Sequence, residues 1–253
     1  RGSSDSVALY TSYLIAKTLG IMTYSLPPSL ITLEHSRFDF SNTLVIIISQ
    51  SGLSDDLIKC SEECSKMGAH ILLISNNPSS PIINSADFFF DVNAKEEVSV
   101  AATKSFILSL INIIKLVAIT SNNKTILKHL EKLPKYLDRE KDNEWDPEII
   151  DKNISKGFII SRGLGYALST EISLKFKELS LELIEPFSSA EVMHGPKSLI
   201  QNSFKVFTMS LKDNSGKIVK RDSEEITSLT DLHYEISYNN KNKKNLFYNS
   251  YEF

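Results

Sequence analysis

VIIISQSGLSDDL, residues 45–57, runs four β-branched residues straight into Ser49-Gln50-Ser51-Gly52, after which Ser54-Asp55-Asp56 opens a helical pattern. An apolar run without polar alternation predicts a strand buried on both faces, the kind found in parallel sheets. We place that strand at 43–49 and a helix at 54–68, with Leu57, Cys60, Cys64 and Met67 along one stripe. Downstream, HILLIS (70–75) reads as a second strand, followed by the breaker NNPSSP, and DFFFDV (87–92) as a third. Residues 100–120 read as a long helix, and upstream 6–19 as another. Strands alternating with helices predict an α/β fold, a parallel sheet with helices on both faces.

Residues 122–153 break the pattern. They are charged, contain two prolines, and read as a helix plus connector between two lobes. The pattern then restarts: residues 157–180 read as a strand, an Arg-Gly turn and a helix. Arg162-Gly163 matches Arg1-Gly2, and the apolar spacing of the following helices agrees approximately. FKVFTMSLKDNSG (204–216) resembles TLVIIISQSG in kind. Duplication of one fold explains both matches economically. We divide the chain into a first domain (1–122), a helical linker (123–153) and a second domain (154–253) that looks short by a helix and a strand after residue 216.

Composition narrows the function. The 253 residues carry 23% charged and 42% hydrophobic side chains, ordinary for a globular protein. A net charge of −3 gives no reason to expect nucleic acid. The apolar stretch FILSLINIIKLVAI (106–119) is too short to span a bilayer, and Lys115 near its middle would cost roughly 2.5–3.5 kcal/mol there. We read it as a helix buried in a core or a subunit interface. Cys60 and Cys64, four apart on the predicted helix, read as buried thiols, and no Cys/His cluster completes a metal site. No secretory signal precedes Arg1, and we expect a cytoplasmic chain. Both ends look clipped: no strand precedes RGSSDS, and the polar run NNKNKKN leads into a stub.

The opening stretch has the chemistry of an anion site. A helix N-terminus at the carboxyl end of a parallel strand points free N–H groups and a dipole into the crevice. Ser49, Ser51 and Ser54 add hydroxyls and Gln50 an amide, while Gly52 lets the backbone approach closely. A plain N-cap would explain Ser54 alone. The two aspartates would repel a phosphate unless they point away. Ser3 and Ser4 in RGSSDS offer a second loop of the same chemistry. There is no Walker lysine motif, and RGLG (162–165) is too short for a dinucleotide fingerprint, so the anion belongs to a small substrate rather than a nucleotide.

Glu171, Lys175 and Glu178 stand at i, i+4 and i+7, within about 60° on a helix, beside an apolar stripe of Leu168, Ile172, Phe176 and Leu179. Such a stripe is either a solvated face with an ordinary Glu–Lys pair or an acid–base wall. SSAEVMHGP (188–196) favours the second, because His194 sits in a Gly-Pro turn of the same lobe. His35, His70, His129 and His233 have no such neighbours.

RGSS, SQSGLSDD, EEVSVAATKSF, EISLKFKEL and AEVMHGP occur in order from residue 1 to about 200. Together they resemble the tandem sugar-isomerase (SIS) domain family, akin to the isomerase half of glutamine–fructose-6-phosphate aminotransferase. RGSS and SVAATKS look closer to the stand-alone glucosamine-6-phosphate deaminases of that fold. The aminotransferase pattern has a cysteine before its first glycine and a serine where Ala102 sits. The resemblance implies two SIS lobes, each a three-layer αβα sandwich of flavodoxin-like kind, in a homodimer with a shared active site and no cofactor or metal. It implies that Ser4, Ser49, Gln50, Ser51 and Ser54 bind the sugar phosphate, with Ser3 nearby. Val100 and Ala102 would offer backbone groups to the sugar, with Thr103 close by. Glu178 would move the proton between C2 and C1, with a raised pKa if buried. His194, crossing from a partner subunit, would assist ring opening, while Glu171 and Lys175 orient the sugar and the developing charge. The family also ends in a lysine-bearing tail, which YNSYEF does not resemble. The implied activity is deamination of glucosamine 6-phosphate to fructose 6-phosphate and ammonia. The rivals are an isomerase domain of the aminotransferase, a fructosamine-phosphate deglycase and a non-catalytic sugar-phosphate sensor.

Overall fold

The computed structural model describes residues 2–99, 101–140, 155–201 and 203–237. The chain divides into two compact units between Ile126 and Leu127. In the first, α1 (Ser3–Leu19) and α2 (Pro28–Thr32) precede β1 (Leu44–Ser49), α3 (Asp55–Lys66), β2 (His70–Ser75), a 3-10 turn, β3 (Phe88–Asp91) and α4 (Lys104–Thr120). The strands form a parallel sheet in the order β1-β2-β3. Ser49 pairs with Ser75 and Ser75 with Asp91, so three polar residues line up at its carboxyl edge.

Alternation along the strands sends side chains to two faces. Ile47, Ile71 and Leu73 pack with Ile31 of α2 and with Cys60 and Cys64 of α3. The two thiols lie 3.9 Å apart and buried, as helical spacing requires. α1 rests on β1 and on α4. Ile113, Val117 and Ala118 of α4 are buried while Ile107 and Ile119 are exposed, so the long apolar stretch buries only one side within this chain. Among the described residues, no helix is long and apolar enough to cross a membrane.

α5 (Lys124–Glu140) supplies the helix expected in the linker, with Pro134 inside it; the connector through residue 153 lies outside the described residues. The second unit then runs β4 (Lys156–Ser161), α6 (Leu164–Lys175), a π turn (Phe176–Ser180), β5 (Leu183–Ser188), α7 (Ser189–Val192), a 3-10 turn (Pro196–Leu199), β6 (Lys205–Ser210), α8 (Asn214–Ile226) and β7 (His233–Ser237). Its parallel sheet has the order β5-β4-β6-β7. On one face Ile159, Ile184, Phe207 and Tyr234 pack with Leu168 and Ile172 of α6. On the other, Phe158, Ile160 and Val206 pack with Val192 of α7 and Ile226 of α8.

Two expectations need correction. The stretch after residue 216, in which no helix was read, carries α8 and then β7. Val219 and Ile226, seven apart, give α8 its buried face, and the charged residues between them masked the period. α1 starts at Ser3 rather than residue 6, so Ser3 and Ser4 belong to a helical turn instead of a loop. Gly2 (φ 62°, ψ −149°) turns the chain into that helix, and Gly163 (φ 61°, ψ −131°) does the same before α6. Only glycine adopts this backbone readily, which gives the repeated Arg-Gly pair its physical reason.

Candidate functional site

In the first unit the loop between β1 and α3 is built as an anchored cradle. The Ser49 hydroxyl, at the buried end of β1, accepts the N–H of Gly52 at 3.0 Å, and the Ser51 hydroxyl accepts that of Leu53 at 3.3 Å. A hydroxyl that accepts still has its own proton to donate outward. The loop's carbonyls are held from the segment after β2. Asn76 N–H donates to Gln50 O at 3.1 Å, Asn77 Nδ2 to Ser51 O at 2.8 Å and Ser80 Oγ to Gly52 O at 2.8 Å. Gly52 has φ 61°, and a Cβ there would lie 2.2 Å from Ser80 Oγ, so the tight approach excludes any side chain. Ser54 occupies the N-cap position of α3 but makes no capping bond through its side chain. Gln50, Ser51 and Ser54 are exposed. Plain capping therefore fails to account even for Ser54, and the hydroxyl-rich mouth faces solvent at the first turn of a helix, where anions bind.

Glu97 reaches α4, where its Oε1 accepts the N–H groups of Thr103 (3.0 Å), Lys104 (2.8 Å) and Ser105 (3.4 Å). Its Oε2 accepts the Ser105 hydroxyl. Burial raises the Glu97 pKa, but these donors outweigh that and hold its carboxyl below the usual range. Thr103 is the N-cap of α4, exposed, with no side-chain capping bond; Ala102 is half-buried. Val100 lies outside the described residues.

In the second unit Lys175 brings the acid–base stripe together. Its Nζ lies 3.3 Å from Glu171 Oε1 and 2.7 Å from Glu178 Oε2. Glu171 is buried. Burial works against the Lys175 charge, yet the two carboxylates prevail and hold its pKa above the ordinary lysine value. The spacing argument assumed one continuous α-helix. Instead α6 ends at Lys175, and Glu178 sits in the π turn, a widening frequent at functional sites. Leu181 closes it at φ 58°, donating its N–H to Phe176 O, five residues back. Glu178 is exposed rather than buried. His194 stands on a different element, the turn after α7, exposed, its N–H on Glu191 O at 3.1 Å.

Residues 1–119 match the family model of the SIS domain. The chain carries a SIS domain. It is homologous to the isomerase domain of glutamine–fructose-6-phosphate aminotransferase. The enzyme of that name from Clostridium tetani is 32% identical over 212 residues, covering 76% of this chain and 35% of its own length. The chain thus spans about a third of the length of the curated relatives it matches. A Silicibacter pomeroyi protein bearing the provisional name phosphosugar isomerase superposes with a TM-score of 0.88 at 29% identity, covering 100% of this chain and 76% of that one. Glucosamine-6-phosphate deaminase from Thermotoga maritima superposes with a TM-score of 0.78 at 22% identity, over 94% of this chain and 73% of that one, a likeness of fold.

Reading the SIS motifs alone leaves out the residues that hold them. Asn76, Asn77 and Ser80 read only as a breaker in sequence, and Glu97 only as part of the matching stretch EEVSVAATKSF, without a role of its own. The density of Asn and Ser in SNNPSS was the available signal, since such side chains commonly bond nearby backbone.

Proposed function

We propose that this protein moves a proton between C2 and C1 of an amino-sugar phosphate and releases the amine, converting glucosamine 6-phosphate and water to fructose 6-phosphate and ammonia. The observation that carries the reading is Lys175 bridged between Glu171 and Glu178. A paired carboxylate and ammonium on one small surface can exchange a proton and steady the charge that its removal creates. The phosphate falls to Ser4, Ser49, Gln50, Ser51 and Ser54, with Ser3 beside them. Ala102 and Val100 present backbone groups to the sugar, with Thr103 close by.

The chemistry proceeds from the open chain, with His194, supplied from a partner subunit of a homodimer, assisting ring opening. Glu178 removes the C2 proton, and the adjacent C1 aldehyde takes up the electron pair to give an enolamine. Returning the proton to C1 yields a ketimine at C2. Water adds to that carbon, the C–N bond breaks, and ammonia leaves with fructose 6-phosphate. Glu171 holds Lys175, whose ammonium faces the developing oxyanion.

A second reading is supported by the curated relatives: the chain is the isomerase portion of a longer aminotransferase, running the same proton transfer toward glucosamine 6-phosphate. Ammonia release from glucosamine 6-phosphate without glutamine separates the two. We expect release by the wild type and a loss of at least about 10²-fold in Glu178→Gln. No release, with glucosamine 6-phosphate formed once glutamine and fructose 6-phosphate are supplied, would replace the first reading by the second.

A further inference from the structure

The stretch from Asn93 to Glu97, after β3, is held by bonds that the proposed chemistry does not use. At its start, Asn76 accepts the N–H of Ala94 through Oδ1 at 2.7 Å and donates through Nδ2 to Lys95 O at 2.9 Å. Asn93 and Lys95 are held at φ 50° and 59°, left-handed backbone that a non-glycine residue keeps only under constraint. At its end, Glu97 takes three consecutive N–H groups and one hydroxyl at the head of α4. Lys104 Nζ adds a bond back to Glu96 O at 2.8 Å.

Glu97 thereby occupies the place at the α4 N-terminus where an anion would otherwise sit. The β1–α3 loop keeps exposed hydroxyls at an N-cap that makes no capping bond, and α4 takes a different task. The Glu97 carboxylate fixes the orientation of the peptide units at Ala102 and Thr103. We infer that Glu97 is a positioning residue for sugar recognition: it sets the backbone around Ala102 and Thr103 against the sugar, independently of the cradle that holds the phosphate. This rests on the reading of the protein as a sugar-phosphate enzyme.

Calorimetric binding of fructose 6-phosphate and of inorganic phosphate to the wild type, Glu97→Ala and Glu97→Gln tests it. Glu97→Ala should weaken fructose 6-phosphate about tenfold, the equivalent of one good hydrogen bond, while inorganic phosphate stays within about twofold. Glu97→Gln keeps an oxygen acceptor at the same place and should recover most of the loss. Equal weakening of both probes would make Glu97 a merely structural cap, and no weakening of either would leave it without a role; each result overturns the inference. If Glu97→Ala fails to fold, Glu97→Asp, whose shorter arm draws the carboxylate back from the N–H groups of α4, takes its place, an unchanged ratio of the two affinities counting against the inference. A wild type that binds neither probe removes the sugar-phosphate reading itself, whereas a wild type that binds both and a variant that does not discriminate removes only the role of Glu97.

Discussion

Ser49 and Ser51 illustrate how much one side chain does in this fold. Each hydroxyl accepts a backbone N–H of its own loop, which stiffens the loop and turns the hydroxyl proton outward. Gly52 makes the arrangement possible, because φ 61° and contact with Ser80 leave no room for a Cβ. We predict that Gly52→Ala costs about 1–3 kcal/mol of stability in the first unit and weakens fructose 6-phosphate binding at least about tenfold. Thermal unfolding and titration check both; an unchanged affinity would disconnect this loop from the ligand. Ser54 and Gln50 make the opposite test case: exposed at the mouth of the loop, they can be replaced with little effect on folding.

At the scale of elements, the π turn is the part that must be held. Its far end leads directly into Glu182, a buried carboxylate whose N–H donates to Phe176 O at 3.3 Å and whose Oε2 meets the fully buried Lys205 Nζ at 3.0 Å. Removing one member of such a pair strands the other charge in the interior. We predict that Lys205→Met costs about 3–5 kcal/mol and that Lys205→Met with Glu182→Leu recovers most of it. Costs that simply add in the double variant would show that the pair does not act as a unit. β1, β2, β3, β4 and β6 were legible as continuous apolar runs, which β2, β4 and β6 bury on both faces while the edge strand β3 leaves Phe88 exposed. β5 was not, because Glu185 and Pro186 interrupt it. An edge strand tolerates a residue without an N–H, and β5 lies at the edge of its sheet. The i, i+4, i+7 stripe found the right three residues with the wrong helix beneath Glu178, since a π turn leaves no mark in apolar spacing. Glu97 carried no role in the sequence because three of its four partners are backbone groups, which the sequence does not spell.

For the molecule as a whole, the same device opens α1 and α6: an Arg-Gly pair whose glycine enters the helix at φ near +60°. Each unit then sets its strands in a parallel sheet, with hydroxyls and amides on the β1–α3 loop of the first and, in the second, a carboxylate–lysine–carboxylate group on α6 and its π turn and His194 on the turn after α7. Proton transfer by Glu178 is the central claim, and it is common to the deaminase and aminotransferase readings. The most direct measurement is proton NMR of fructose 6-phosphate incubated with the protein in D₂O. We predict that one of its two C1 protons is replaced by deuterium with the wild type and that the exchange disappears with Glu178→Gln. Retention of both C1 protons with the wild type, or exchange that persists in Glu178→Gln, would contradict it.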